Sequence, residues 1–177
     1  LPAEDINGQT WTVQTIQPSG AKFFVTGSKK ESHFHVVDVE NRGLAALDAA
    51  PAIVISEGYA TADTLSQALD APVVAAFDSG NLSKVAQVLH ERYPHKPIVI
   101  AGDDDFTQES VNGINPGREK AIEVAKLANG VAVFPTFAPD EQVSLKLSDF
   151  NDLANKSVLG IEAVKRQVGS VIERIIR

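Results

Sequence analysis

Three consecutive aspartates, Asp103 to Asp105, directly follow the apolar residues 98–101 and a glycine. A β-branched apolar run that ends in this way is typical of a buried parallel strand whose last residues serve a site. Adjacent carboxylates repel one another, and a cation placed among them relieves the repulsion. Because alternate residues of an extended strand point the same way, Asp103 and Asp105 are predicted to share a cation while Asp104 faces elsewhere.

The chemistry of these ligands limits which metal is expected. Oxygen ligands without histidine or cysteine favour Mg²⁺ or Mn²⁺ over zinc. Mg²⁺ usually keeps some of its waters and takes phosphate groups as further ligands. The aspartates therefore indicate phosphoryl or nucleotidyl transfer.

Carboxylates also follow the other apolar runs. Glu57 comes after the first run, Asp78 after the second, and Asp149 and Asp152 lie downstream of the fourth. Ligands of open α/β sheets bind beyond the carboxyl ends of the strands, so these side chains are expected at one edge of the sheet. Asp78 has a simpler alternative as a turn residue, and Asp149 has one as a helix cap.

The elements that position these residues are predicted from periodicity. Apolar bursts at 52–55, 73–77, 98–100 and 131–134 alternate with stretches of helical period at 60–69, 82–92 and 118–128, and a last helix is expected at 161–176. Alternating strands and helices predict a mainly parallel four-stranded sheet flanked by helices. The fold class is therefore α/β.

The first part of the chain has a different pattern. Period-two runs at 11–16 and 22–25, separated by a Pro-Ser-Gly turn, predict an antiparallel hairpin with a third strand at 33–37. We expect residues 1–43 to form a small β appendage and residues 44–177 the main domain. His33 and His35 share a strand face, although such a pair is more often a partly buried face than a metal site.

Composition restricts the classes of protein. The net charge of −7 argues against an unaided grip on duplex nucleic acid, and the absence of cysteine excludes disulfides and fits a cytoplasmic location. No apolar run is long enough to span a membrane, so no membrane partner is expected. Because the chain lacks methionine, we expect it to be a fragment of a longer protein.

Three motifs together resemble a known family. The first is Glu57 with Gly58 after the first strand, the second is the D-x-D of Asp103 and Asp105, and the third is the helix start Pro116-Gly117-Arg118. They are similar to the Toprim domain of primases, topoisomerases and some nucleases. The segments EGYATADTL, AFDSGNL and DFNDL resemble most closely the Toprim domains of plasmid conjugation primases and related mobile-element primases. The resemblance covers residues 51–167 and implies a Toprim-like Rossmannoid fold.

The resemblance also implies roles for individual residues. Glu57 would be the general acid or base, Asp103 and Asp105 would bind Mg²⁺ or Mn²⁺, and Asp149 with Asp152 would form a second carboxylate pair near a further cation. Independently of the resemblance, basic side chains near helix starts at this edge are expected to hold a triphosphate or the template backbone, with an ordinary solvated helix face as the alternative for Lys84 and Lys120. These basic side chains are Lys84, Arg118 and Lys120.

The implied activity is magnesium-dependent primer synthesis from nucleoside triphosphates on single-stranded DNA, in plasmid or mobile-element replication and conjugation. The implied partners include other domains of a larger primase, helicase or relaxase polypeptide. Two departures from the bacterial primase pattern are visible: residues 106–115 are inserted after the D-x-D, and Thr61 stands where an aspartate is usual.

Three alternatives stay open at this point. A Toprim domain can cleave DNA strands in nucleases and topoisomerases. The segment from Asp103 to Thr107 also satisfies the D-x-D-x-T motif of haloacid-dehalogenase-type phosphatases, with Asp103 as nucleophile and Asp105 as general acid, although Glu57 would then have no role. Finally, the chain could be a non-catalytic module that docks neighbouring domains.

Overall fold

The apolar runs form a five-stranded sheet in the computed structural model, which describes residues 1–177. Its strands, in the spatial order β4-β6-β5-β7-β8, are β4 His35–Val37, β5 Ile53–Ser56, β6 Val73–Ala75, β7 Ile98–Ala101 and β8 Val131–Val133. Strands β5 to β8 are parallel, whereas β4 pairs antiparallel with β6. The predicted α/β fold with a mainly parallel sheet is confirmed, and β4 adds one strand to the four expected.

Helices cover both faces of this sheet. The eight helices of the chain are α1 Leu44–Ala49, α2 Tyr59–Leu69, α3 Ser79–Arg92, α4 Phe106–Asn112, α5 Pro116–Leu127, α6 Glu141–Leu145, α7 Phe150–Asn155 and α8 Gly160–Ile175. Of these, α4 and α6 contribute no buried residue. Alternate strand residues enter opposite cores: Ile53 and Ile55 pack with α1, α3 and α5, whereas Val54 packs with α2, α7 and α8. None of the helices combines the length and apolar character needed to cross a membrane.

The N-terminal residues form a separate antiparallel sheet in the order β1-β2-β3. Its strands are β1 Pro2–Glu4, β2 Thr10–Ile16 and β3 Lys22–Phe24. The predicted hairpin corresponds to β2 and β3, while β1 was not predicted. The strand expected at 33–37 does not extend this hairpin: residues 35–37 join the main sheet as β4, and Phe34 and Val36 enter the core of that sheet. The backbone of Phe34 also pairs with that of Glu4 in β1. The division at residue 43 stays a prediction.

Candidate carboxylate centre

Glu57 and Asp103 lie side by side at the carboxyl edge of the main sheet. Strands β5 and β7 are neighbours in parallel register, with Ser56 opposite Ala101. Glu57 follows Ser56 directly, and Asp103 follows Ala101 after one glycine. The parallel pairing of two strands therefore joins acidic residues that are far apart in the sequence.

Two cavities meet at these carboxylates. The larger, of about 410 Å³, is lined by Glu57, Ser79, Gly80, Asp103, Asp105, Pro116, Gly117 and Lys120. The smaller, of about 110 Å³, is lined by Lys22, Glu57, Gly58, Ala60, Thr61, Phe77, Asp103 and Asp149. Glu57 and Asp103 line both cavities, so they form the centre of the site.

The carboxylate of Asp103 has no hydrogen-bond donor and no ion-pair partner among its neighbours. Burial, reinforced by the charges of Glu57, Asp149, Asp105 and Asp152, raises its pKa to about 7. No donor of the chain forms a hydrogen bond to this carboxylate. A proton or a cation is therefore needed to balance its charge at neutral pH.

Glu57 has a similar but weaker perturbation. Burial raises the pKa of Glu57 above its ordinary value, and the charges of Asp78 and Asp105 act in the same direction. The backbone amide of Ser79 and the ammonium of Lys22 oppose that rise. Glu57 therefore holds its proton more readily than an exposed glutamate does.

Asp105 faces the first turn of α5. Its Oδ2 accepts a hydrogen bond of 2.9 Å from the backbone amide of Gly117. A Cβ at position 117 would lie only 2.8 Å from the backbone oxygen of Asp103 and 2.9 Å from Asp105 Oδ2. The glycine of the Pro-Gly-Arg motif is thus required for the close approach of α5 to both aspartates.

Asp104 points away from the site, as the alternation of the strand end predicts. It is buried and forms an ion pair of 2.7 Å with Arg118, while Asn115 Nδ2 donates to it at 2.7 Å. Burial alone would raise the pKa of Asp104, but hydrogen bonds from Arg118, Gln142 and Asn115 hold it below its ordinary value. The Arg118 guanidinium, which also lies 4.8 Å from the centre of the Phe134 ring, is therefore already partnered.

Asp149 and Asp152 are held together at the start of α7. Asp149 accepts hydrogen bonds from the Asp152 amide at 2.7 Å and from the Thr61 hydroxyl at 3.2 Å. Asp152 accepts from the Ser148 amide at 3.0 Å and pairs with Lys156 at 2.7 Å. Asp149 thus acts as the helix cap that the sequence offered as an alternative, and Thr61 supplies it with a donor.

The remaining predicted residues are dispersed. Lys120 lines the larger cavity and lies 3.2 Å from Glu123, whereas Lys84 pairs with Glu31 at 2.9 Å on the surface. The two histidines lie in the N-terminal region: His33 stacks on Trp11 and His35 Nδ1 lies 3.2 Å from the Pro2 carbonyl oxygen. Neither histidine lines the two cavities.

The carboxylate oxygens of this edge suit a hard divalent cation in chemistry, although they are not arranged as a metal site. No group of three or more His, Cys, Asp or Glu side chains is arranged to hold a metal ion. The four aspartates predicted as ligands therefore do not form a ready-made cluster. Glu57, Asp103 and Asp105 nevertheless offer only oxygen ligands around one cavity, and the charge of Asp103 is unbalanced. These residues fit Mg²⁺ or Mn²⁺ in chemistry.

Sequence reasoning missed one residue of the site. Lys22, from β3 of the N-terminal sheet, lines the smaller cavity beside Glu57. Its Nζ lies 3.6 Å from the position that a Cβ on Gly58 would occupy. Nothing in the local pattern around Lys22 distinguishes it from other surface lysines, since only the docking of the small sheet brings it to the site.

Comparison with known proteins identifies the family of this chain. The family described as the Toprim domain matches residues 52–158. A DNA primase TraC of Escherichia coli is 42% identical over an alignment of 233 residues. The alignment covers 100% of this chain and 16% of the relative. A second protein with that name from Escherichia coli is 40% identical over 232 residues, covering 99% of this chain and 22% of the relative. The chain thus spans between about a sixth and about a fifth of these relatives.

The three motifs lie within the matched region, which ends before the last helix. Glu57, Asp103, Asp105, Asp149 and Asp152 all fall inside residues 52–158, whereas Lys22 falls outside them. The chain belongs to the Toprim domain family.

Proposed function

We propose that this chain is the Toprim domain of a DNA primase that joins nucleotides into primers on single-stranded DNA during plasmid or mobile-element replication and conjugation. The observation that supports it most is that Glu57 and Asp103, which follow the neighbouring parallel strands β5 and β7, line the same cavity. The likeness over the whole chain to proteins named DNA primase TraC supports the same activity. Its partners would be template DNA, nucleoside triphosphates and the other domains of a larger cytoplasmic polypeptide.

In this proposal Glu57 exchanges protons with a reacting hydroxyl. Its pKa is raised by burial, which brings a carboxylate closer to the range in which a general base works at neutral pH. It lies between the two cavities, so a hydroxyl bound in the larger one is within its reach. Glu57 would therefore accept the proton of the attacking group or return one to the leaving group.

Asp103 and Asp105 would hold Mg²⁺ or Mn²⁺, with Asp149 and Asp152 near a further cation. A bound divalent cation supplies Lewis-acid stabilisation to the oxygens of a phosphoryl group. Asp103 is free of hydrogen-bond partners and Asp105 has one oxygen engaged by Gly117. Asp152 would have to release Lys156 before taking part, so we place the first cation at Asp103 and Asp105.

Of the three basic residues predicted from the sequence, Lys120 is the best placed to bind a phosphate, because it lines the larger cavity beside Asp105, although it also lies 3.2 Å from Glu123. Arg118 and Lys84 would reach a phosphate only after leaving Asp104 and Glu31. We therefore propose that Lys120 contacts the substrate directly. Arg118 would mainly support the D-x-D turn from behind.

Primer synthesis by the full-length parent tests the proposal. Glu57→Gln keeps the size of the side chain and removes its proton exchange, so primer yield on single-stranded DNA with nucleoside triphosphates and Mg²⁺ should fall by about 100-fold or more. The control is Glu91→Gln, an exposed residue near the far end of α3. Equal primer yields from Glu57→Gln and the parent would refute the catalytic assignment.

The same preparations separate the alternatives. Mg²⁺-dependent nicking of DNA that disappears in Glu57→Gln, without primer synthesis, would indicate strand cleavage by a Toprim nuclease or topoisomerase. Membership of the Toprim family removes the main support for the phosphatase alternative. Absence of both activities, with normal assembly of the parent, would favour a docking module.

A further inference from the structure

The side-chain ammonium of Lys22 lies beside the carboxylate centre. Lys22 belongs to β3, which is outside the matched Toprim region. It lies at the start of β3 and lines the smaller cavity together with Glu57, Asp103 and Asp149. Its side-chain ammonium forms no ion pair and no hydrogen bond with the chain, although three carboxylates line the same cavity. Its charge is therefore available to a bound ligand.

The other basic side chains around this edge are already engaged. Lys30 pairs with Asp78, Arg118 with Asp104, Lys156 with Asp152 and Lys84 with Glu31. Lys120, in the larger cavity, lies near Glu123. Among the basic residues that line the two cavities, Lys22 is the one without an acidic partner.

Contacts of β3 and of the loop that follows it define the position of Lys22. The ring of Phe24 meets the ring of Phe77 edge to face at 5.2 Å between centroids. Asn81 Nδ2 donates to the His33 carbonyl oxygen at 2.8 Å, and its Oδ1 accepts from the Ser32 amide at 2.8 Å. The first contact holds β3 against the turn between β6 and α3, and the other two hold the loop between β3 and β4 against the first turn of α3.

We propose that Lys22 binds a phosphate group of the substrate at the smaller cavity, so that the N-terminal sheet forms part of the catalytic unit. The proposal rests on the proposed nucleotidyl transfer, which requires phosphates to approach Glu57. An ammonium donates charge-assisted hydrogen bonds to phosphate oxygens and offsets the repulsion between phosphate and the carboxylates. The phosphate belongs either to a nucleoside triphosphate or to the backbone of the DNA strand.

The full-length parent carrying Lys22→Ala, Lys22→Arg or Lys29→Ala provides the test. Lys29 is an exposed lysine of the same segment that lines neither cavity, and its substitution removes the same charge. KM for nucleoside triphosphates is measured in primer synthesis, and Kd is measured for a fluorescent single-stranded oligonucleotide with Mg²⁺. A rise in KM identifies the triphosphate as the source of the phosphate, and a rise in Kd for the oligonucleotide identifies the DNA backbone.

Lys22→Ala should raise one of these constants about tenfold, as expected for the loss of one charge-assisted hydrogen bond. Lys22→Arg should recover most of the loss, and Lys29→Ala should change either constant less than about twofold, as is usual for exposed charges. Unchanged KM and Kd in Lys22→Ala, or equal effects of Lys29→Ala, would overturn the proposal. The Kd for a fluorescent nucleoside triphosphate is measured beside KM, and a rise in either identifies the triphosphate. Because both Kd values are measured without turnover, they test Lys22 even if Glu57→Gln proves the catalytic assignment wrong.

Discussion

Replacing Asp103 by asparagine should stabilise the metal-free protein at high pH. The pKa of this carboxyl is about 7 in the folded chain and 3.8 as its ordinary value. Well below pH 3.8 both states are protonated, so ionisation of Asp103 makes no difference between them. Between about pH 4 and pH 7 the unfolded chain ionises while the folded chain keeps its proton, and the free energy of unfolding declines as pH rises.

The size of the effect follows from that difference in pKa. A shift of about three units corresponds to about 4 kcal/mol at 1.36 kcal/mol per unit, as an upper bound. Access of water and relaxation of the neighbouring carboxylates reduce this value, and we expect about 2 kcal/mol at pH 8. Asp103→Asn removes the buried charge and should recover this amount.

Urea unfolding followed by circular dichroism measures the effect at pH 4 and at pH 8 in the presence of a chelator. Asp103→Asn should exceed the wild type only slightly at pH 4, where ionisation of the unfolded chain still contributes little, and clearly at pH 8, whereas the exposed control Glu91→Gln should follow the wild type at both. Millimolar Mg²⁺ should stabilise the wild type at pH 8 and leave Asp103→Asn nearly unchanged, since a ligand stabilises only the state that binds it. A less stable Asp103→Asn at pH 8 without metal would refute the reasoning.

Two further predictions concern the support of the D-x-D turn. Arg118→Ala should lower the free energy of unfolding by about 2 kcal/mol, because Asp104 stays buried without its ion-pair partner. The partial exposure of Arg118 limits the loss. Unchanged urea unfolding with a raised KM for nucleotides would instead make Arg118 a phosphate ligand. Gly117→Ala should destabilise by about 1–3 kcal/mol, since its Cβ would overlap Asp103 and Asp105. Gly169→Ala, which meets nothing within 4 Å, is the helical control and should not destabilise; equal unfolding midpoints for the two glycine variants would contradict the packing argument.

The predictable part of the site consists of residues whose neighbours in the sequence reveal them. Glu57 and Asp103 follow continuous apolar runs, and a carboxylate directly after a buried strand is an unusual local pattern. The capping of α5 by Asn115 and of α7 by Asp149 is likewise visible in a few consecutive residues. The opposite direction of Asp104 also follows from the alternation along an extended chain.

Other features depend on pairings between distant segments. Residues 33–37 have an alternating pattern that suits either sheet, and only the space beside β6 assigns His35–Val37 to the main one. Arg118 and Asp152 were expected to bind phosphate and metal, but each forms an ion pair within the fold. That ion pair competes with phosphate for Arg118 and with metal for Asp152.

By itself, the sequence determined the α/β class, the four parallel strands and the acidic residues at their ends, because apolar periodicity and caps are encoded within a few neighbouring residues. The tertiary structure decided which carboxylates have partners and which are exposed to one another's charge. It also decided that Lys22 lies beside Glu57, although 35 positions separate them in the chain. Such proximity arises from the docking of one sheet on another, and no local pattern records it.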